Sequence, residues 1–394
     1  MKKLLIASAA IALTAGMASA EDIKIGISMG FTGPLESMSP AMASGAELAI
    51  KEVSDSGKLL DGSTVTAIRA DNTCADAAAA VTAVERLVTA DKVNGIVGGM
   101  CSGETIATLE KVGVPNGVVM ISPSDTSPAL TTIDDKGFFF RTSPSDARQG
   151  EVMADIATEH GVKNVAITYT NNDYGKGLAE SFKAAFEKKG GKVTMIAAHD
   201  DGKADYAAEV GALAAAGGDA LAVVGYVDQG GSGITRGALD SGAFSTFIFP
   251  DGMVGQALVD KFGAELETSF GQMPSSEGEG RDKFVEAAKA GGFDGSSVFS
   301  GEAYDAAALM MLAMQAAKSS DPKVYKDKIM EIANAPGEKI GAGELAKGLE
   351  LLAAGTDIDY DGTSAVELVE PGESAGTYRE LDFKGGTMNT VKVR

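Results

Sequence analysis

The sequence predicts an α/β protein built of two similar lobes, each a Rossmann-like parallel sheet with helices on its faces, joined by multiple hinge crossovers. Three observations carry this expectation. Apolar strand-like runs alternate with amphipathic helical runs along most of the chain. The alternation breaks twice, at 141–150 ("RTSPSDARQG") and 271–280 ("GQMPSSEGEG"). A simple tandem of domains needs one crossing, so two imply lobes that share linking segments and can hinge. The length, 394 residues, also exceeds the roughly 250–300 that one core supports.

Taken in order, "DIKIGISMG" (22–30) reads as a buried strand, followed by a helix from about Ala41 to Ser54 and the strand "TVTAIRA". "ADAAAAVTAVERLVTA" places Val81, Val84 and Val88 on one helical face. "VNGIVGG" and "GVVMIS" are strands, with a helix starting at the turn "MCSGET" between them. The rhythm then restarts. "NVAITYT" (164–170) is a strand, and the helix after it turns Leu178, Phe182, Ala185 and Phe186 inward before stopping at Gly190–Gly191. "KVTMIAA", "ALAVVGY" and "FSTFIFP" continue the strand series. "SGEAYDAAALMMLAMQAAK" is a nearly all-apolar helix, which must be buried on most sides.

The N-terminus sets the compartment. Lys2 and Lys3, a short apolar run and "ASA" at Ala18–Ala20 form a secretory signal, with cleavage expected after Ala20. Without Lys2 and Lys3 the chain carries 32 basic and 55 acidic residues, a charge of −23. Such a surface repels nucleic acid and anionic lipid. In an oxidising compartment Cys74 and Cys101 are expected to pair. The alternative, a reactive thiol, needs a base, and neither His160 nor His199 has a context that supplies one.

Several motifs compete for a functional reading. Ser28 in "GISMG" fits the hydrolase nucleophile pattern G-x-S-x-G, but it lacks a preceding oxyanion segment and reads better as a strand running into a loop. "DIDYDGTSAVEL" (357–368) resembles a calcium loop with Leu368 where the bidentate Glu belongs, so an acidic turn is expected. His199 with Asp200 and Asp201 lacks a second histidine for a metal, and His160 is placed to cap helix carbonyls near Gly161. "GAGELA" and "GSGITRG" lack the strand–turn–helix context of a dinucleotide loop. No cofactor or metal is expected. What remains is a set of hydroxyl-rich strand-end loops: Ser102 and Thr105, then Ser124 and Thr126. Strand carboxyl ends are where open α/β sheets bind ligands. The second half offers Tyr174, Tyr226 and Asp251 at comparable positions. Each alone is an ordinary turn residue; together they suit a small zwitterion.

From Glu21 to near the C-terminus the chain resembles the periplasmic binding proteins of the leucine/isoleucine/valine type that serve ABC importers. The resemblance rests on "IKIGISMGFTGPLESMS", "DNTCAD" with "GGMCSGET", "SPSDTSPALT", "NNDYGKGLAESF", "VVGY", "FPDG" and "EAYDAA", in that order. It implies the type I fold of this class, with residues 21–143 and 275–355 in the N-terminal lobe and 144–274 and 356–394 in the C-terminal lobe. It implies a Cys74–Cys101 disulfide. It implies that the Ser102 hydroxyl and Thr126 N–H hold a ligand α-carboxylate, and that the Ser124 carbonyl, the Thr126 hydroxyl and Asp251 receive its ammonium. Tyr174 and Tyr226 would close over the ligand, and Tyr304 and Met38 would line the side-chain pocket. The expected activity is capture of a hydrophobic amino acid in the periplasm by a monomer that delivers it to an inner-membrane permease, with no catalysis. Other uses of the scaffold are an amide, urea, aromatic acid or basic amino acid as ligand, or chemosensory reception. Asp125 bears on this choice, because facing the pocket it would repel a carboxylate.

Overall fold

The structure, a computed structural model, describes residues 20–275 and 277–394; the signal segment, Ala20 apart, lies outside them. The first sheet contains β1 (Asp22–Met29), β2 (Thr64–Asp71), β3 (Gly95–Gly98), β4 (Met120–Ser122) and β5 (Phe139–Pro144), parallel and in the order β2-β1-β3-β4-β5. The second contains β6 (Asn164–Thr170), β7 (Lys192–His199), β8 (Ala220–Val224), β9 (Phe247–Phe249) and β10 (Phe270–Pro274), parallel in the matching order β7-β6-β8-β9-β10. Ile23, Ile25 and Ile27 on β1, and Val165 and Ile167 on β6, are fully buried. Central strands covered on both faces read as such apolar runs.

The remaining strands correct one expectation. β11 (Glu338–Gly341) and β12 (Ile358–Gly362) form a separate parallel pair. β13 (Leu368–Val369) and β14 (Glu373–Ser374) extend the first sheet beyond β5, whereas β15 (Tyr378–Asp382) and β16 (Asn389–Val393) extend the second beyond β10. Residues 356–394 were expected wholly in the C-terminal lobe. Instead β14 pairs with β5 on one sheet and β15 with β10 on the other, so a crossing lies between Ser374 and Tyr378. With the passages after Pro144 and after Pro274, the chain crosses three times.

The abundance of small residues has a packing cause. Helix Ser300–Ala317 is buried from Ser300 to Gln315 without interruption, lying against helix Ser39–Ser56, helix Leu345–Ala353 and the first sheet. At Gly45 a Cβ would sit 2.1 Å from the Ser300 carbonyl oxygen, so only glycine admits that approach.

Four side motifs resolve here. The calcium-like run becomes strand β12, where Asp361 takes the Lys339 ammonium at 3.0 Å. His160 does not cap carbonyls with its ring: Nε2 lies 3.2 Å from Glu380 Oε1 and the ring stacks on Phe270. His199 turns inward, Nδ1 lying 2.8 Å from Thr168 Oγ1. Ser28 is buried within β1, its Oγ 3.4 Å from Asn72 Nδ2, while both histidines belong to the other lobe.

Candidate ligand-binding cleft

In both sheets the strand order reverses direction beside the first strand, between β1 and β3 and between β6 and β8. Ligands of open α/β sheets bind outside the carboxyl ends at such points. The two switch points face one another across the lobes, and the cleft between them is lined by Leu35, Met38, Met100, Ser102, Ser124, Tyr174, Tyr226, Asp251 and Phe299, with Cys101 and Gly252.

On the first lobe, β3 runs into the turn at Gly99–Cys101 and helix Ser102–Thr108 begins at once. A 2.05 Å disulfide joins Cys101 to Cys74, on the neighbouring loop. That loop is bent at Thr73 (φ 61°) and Cys74 (φ 52°). Asp71 Oδ1 holds it by accepting from the N–H groups of Phe31 (3.0 Å) and Thr73 (2.9 Å). Ser102 Oγ accepts from Ser127 N–H at 3.2 Å, and Ser124 Oγ donates to the Met100 carbonyl at 3.0 Å. Both hydroxyls therefore sit in a loop pair already cross-linked by short polar contacts.

On the second lobe, Asp251 follows β9 and Tyr226 follows β8, while Tyr174 opens helix Asp173–Lys188. The Tyr174 hydroxyl donates to Asp251 Oδ1 at 2.7 Å and Gly252 N–H donates to the same oxygen at 2.8 Å. The Tyr174 and Tyr226 rings stack with centroids 5.3 Å apart. Asn172 Nδ2 donates to the Tyr226 hydroxyl at 3.1 Å. Burial raises the Asp251 carboxyl above its ordinary value, against the lowering effect of Tyr174, and burial holds Tyr174 as a phenol. Glu104, in the first turn of helix Ser102–Thr108, is pushed up to about 7 by burial, with Asp125 and Asp173 adding to the effect. The surroundings are thus acid-rich and desolvated, a setting that favours a cation.

Of the residues expected to form a site, Met38, Ser102, Ser124, Tyr174, Tyr226 and Asp251 come together on one wall or the other. Thr126 lies behind the wall, fully buried, its carbonyl accepting from Asp146 N–H at 2.7 Å where the chain crosses between lobes. Tyr304 does not line the cleft, and this corrects the expectation. It lies on the opposite side of helix Ser300–Ala317, where its hydroxyl bonds Glu52 and accepts from Gly343 N–H at 3.0 Å. The aromatic wall of the first lobe is instead Phe299, one residue before that helix, held at φ 62°. A non-glycine residue in the left-handed region at a helix start is a costly conformation that clusters at functional sites. Asp125 is buried away from the cleft. Its N–H lies 2.9 Å from Ser122 Oγ, and a Cβ on Gly99 would lie 3.6 Å from its carboxylate. Burial pushes it up to about 6.

The cleft is shut. Ser127 Oγ donates to the Asp173 carbonyl at 3.1 Å, Ser37 N–H to Asp228 Oδ2 at 2.9 Å, and Asp228 N–H to the Pro34 carbonyl at 3.2 Å, all across the lobes. The volume between the walls is about 20 Å³. A single water needs about 10–15 Å³ by a similar measure, so any larger ligand requires the hinge to open. A larger groove, about 850 Å³, lies on the outside of the second lobe between helices Ala207–Ala216 and Gly230–Asp240. Its lining, from Gly202 to Ser241, comes from the second lobe alone, whereas both lobes line the cleft, and the site is assigned to the cleft on that ground.

A match to the family described as periplasmic binding protein covers residues 22–333. The chain belongs to the periplasmic binding protein family. Among its relatives, a protein of Pseudomonas aeruginosa named as a leucine-, isoleucine-, valine-, threonine- and alanine-binding protein is 29% identical over 323 residues, 81% of this chain and 85% of the relative. A leucine-binding protein of Thermotoga maritima shares the fold with a TM-score of 0.79 at 22% identity, over 94% of this chain and 98% of its own. A solute-binding protein of an ABC transporter from R. palustris, solved in complex with benzoate, shares it with a TM-score of 0.76 at 16% identity, over 94% and 96%. The periplasmic binding fold, with its cleft between two lobes, is therefore the frame in which the residues above act.

Proposed function

We propose that this protein captures an α-amino acid with an apolar side chain in the periplasm, by closing its lobes, and delivers it unchanged to the permease of an ABC importer. The observation that carries the reading is Asp251: a fully desolvated carboxylate, bonded to Tyr174, facing the hydroxyls of Ser102 and Ser124 across the cleft. A buried carboxylate is costly unless a cation meets it. A ligand ammonium supplies that cation from the second lobe's side, and the ligand carboxylate engages Ser102 on the first. The Ser124 carbonyl accepts a further ammonium proton. Met38, Leu35, Met100 and Phe299 then surround the side chain. The Pseudomonas protein, named for binding leucine, isoleucine, valine, threonine and alanine, and the Thermotoga leucine-binding protein support the same ligand class. Export with cleavage after Ala20, a monomeric state and the absence of turnover belong to this reading.

The stacked Tyr174–Tyr226 pair favours one second reading, an aromatic carboxylic acid of the benzoate kind. A thermal-shift series with the twenty amino acids and with benzoates separates the two. Ligand at 100 times its dissociation constant adds about 2.7 kcal/mol of stability. A shift with apolar amino acids and none with benzoate supports the proposal. A shift with benzoate alone replaces it, and release of product from an ester or amide would make the protein an enzyme.

A further inference from the structure

Helix Asp173–Lys188 of the second lobe carries two glycines near its start, Gly175 and Gly177, and they meet different parts of the molecule. A Cβ at Gly175 would lie 2.1 Å from the Thr170 carbonyl oxygen, at the end of β6 in the same lobe. The lobe's own packing demands that glycine. A Cβ at Gly177 would lie 2.8 Å from Pro128 Cδ, 3.3 Å from Ser127 Oγ and 3.7 Å from Pro128 Cγ, and these three nearest atoms all belong to the first lobe. Gly103, in the first turn of helix Ser102–Thr108, repeats the pattern from the other side: a Cβ there would meet Asp173 Oδ2 of the second lobe at 3.2 Å. Glycine inside a helix lowers its stability relative to alanine. Gly177 therefore weakens its helix, and the close approach it permits is to the other lobe.

This contact sits beside the cleft without lining it. Ser127 N–H donates to Ser102 Oγ at 3.2 Å, and Ser127 Oγ donates to the Asp173 carbonyl at 3.1 Å. Ser102 and Tyr174, the residue after Asp173, are cleft walls of opposite lobes. The Ser127–Pro128 corner thus lies one residue away from both walls. Arg141 Nη1 braces it from within the first lobe, donating to the Ser127 carbonyl at 3.0 Å.

Resting on the reading above that capture occurs by lobe closure, we propose that Gly177 is a positioning residue for capture: its bare backbone seats the Ser127–Pro128 corner, and the fit of Pro128 against it sets how far the lobes close. Gly177 touches no ligand. A side chain at 177 holds the corner off, so Ser102 and Asp251 cannot engage one ligand together. When the lobes part, that same side chain faces solvent and strains nothing.

Calorimetric titration and thermal melting of native protein, Gly177→Ala and Gly177→Leu test this, with leucine and benzoate as the two probes. The expected result is a pair of effects of opposite sign. Affinity for the probe that binds native protein falls by about fivefold or more in Gly177→Ala, the low end of an overpacking cost converted to affinity, and further in Gly177→Leu. Without a probe, Gly177→Ala melts at or above the native temperature, because alanine is the better helix former. Gly175→Ala, by contrast, melts below it. Pro128→Ala removes the ring atoms that a Cβ at 177 would meet, so adding it to Gly177→Ala restores most of the lost affinity. Native affinity in Gly177→Ala and Gly177→Leu, or no restoration by Pro128→Ala, would overturn the proposal. A lowered melting temperature in Gly177→Ala would also overturn it, by making Gly177 a packing residue of its own lobe. If Gly177→Leu does not fold, the Gly177→Ala pair of measurements decides alone. Benzoate binding where leucine fails would overturn the amino-acid reading and leave the seat to be judged with benzoate. Failure of both probes to bind native protein would overturn both.

Discussion

The two lobes share one strand order but meet the cleft with opposite chemistry. At the ends of β3 and β4 the first lobe presents Ser102 and Ser124, small hydroxyls on a disulfide-linked loop. At the ends of β8 and β9 the second lobe presents Tyr226 and Asp251, joined by Tyr174, large rings around one buried acid. The contrast teaches that the scaffold supplies two facing switch points and nothing more, and that loop residues decide what each accepts. On the proposed reading a zwitterion would meet both faces at once, and because only the closed state makes both sets of contacts, its binding would favour closure.

The largest expected effect removes the second lobe's charge. Asp251→Asn keeps the shape and should weaken the best amino-acid ligand by about 2–5 kcal/mol, at least tenfold in affinity. Calorimetry reads this directly, and native-like affinity would erase the charge contrast between lobes. Next, on the first lobe, a double Cys74→Ser, Cys101→Ser variant opens a bond spanning a sequence separation of 27. On the chain-entropy account it should lose about 3–4 kcal/mol of unfolding free energy, and affinity should fall as the Ser102 loop loosens. Chemical denaturation with and without ligand distinguishes the two effects. Equal stability would mean that the loop is held by Asp71 and Ser127 alone.

A smaller effect sharpens the second lobe's role. Tyr174→Phe deprives Asp251 of its 2.7 Å donor and should cost about 1–3 kcal/mol in stability or binding. It should also move the Asp251 carboxyl further up, because the contact it removes is one that lowers it. A further effect concerns Glu104. Its carboxyl stands at about 7 in the fold against an ordinary 4.5, so the fold holds that proton more tightly than the unfolded chain. The stabilisation is fully present below about 4.5 and is lost as pH rises through about 7. The unliganded protein should therefore melt higher at pH 5 than at pH 8, and Glu104→Gln should shrink the difference. An unchanged difference would remove Glu104 from the acid-rich environment of the cleft.

The fold was legible because apolar alternation marks central strands regardless of context, and both five-strand parallel sheets follow it. The place of Tyr226 and Asp251 in the cleft was legible for the same reason: each lies two residues beyond a strand, and strand ends face the cleft. Tyr304 was misread because its side of the buried helix is set by tertiary packing against Glu52 and Gly343, and a helix apolar all round carries no stripe to orient it. Phe299 was missed because its position depends on a left-handed backbone that residue type does not announce. The third crossing was invisible because β13 and β14 have two residues each, too short for any period.

The central claim is that a ligand ammonium at Asp251 links the lobes. It is tested most directly by comparing methionine or leucine with the carboxylic acid of the same carbon skeleton that lacks the amino group, by calorimetry on the native protein. The account predicts that removing the amino group weakens binding at least tenfold, since the desolvated carboxylate is then left without its cation. Equal affinity for the two would contradict it.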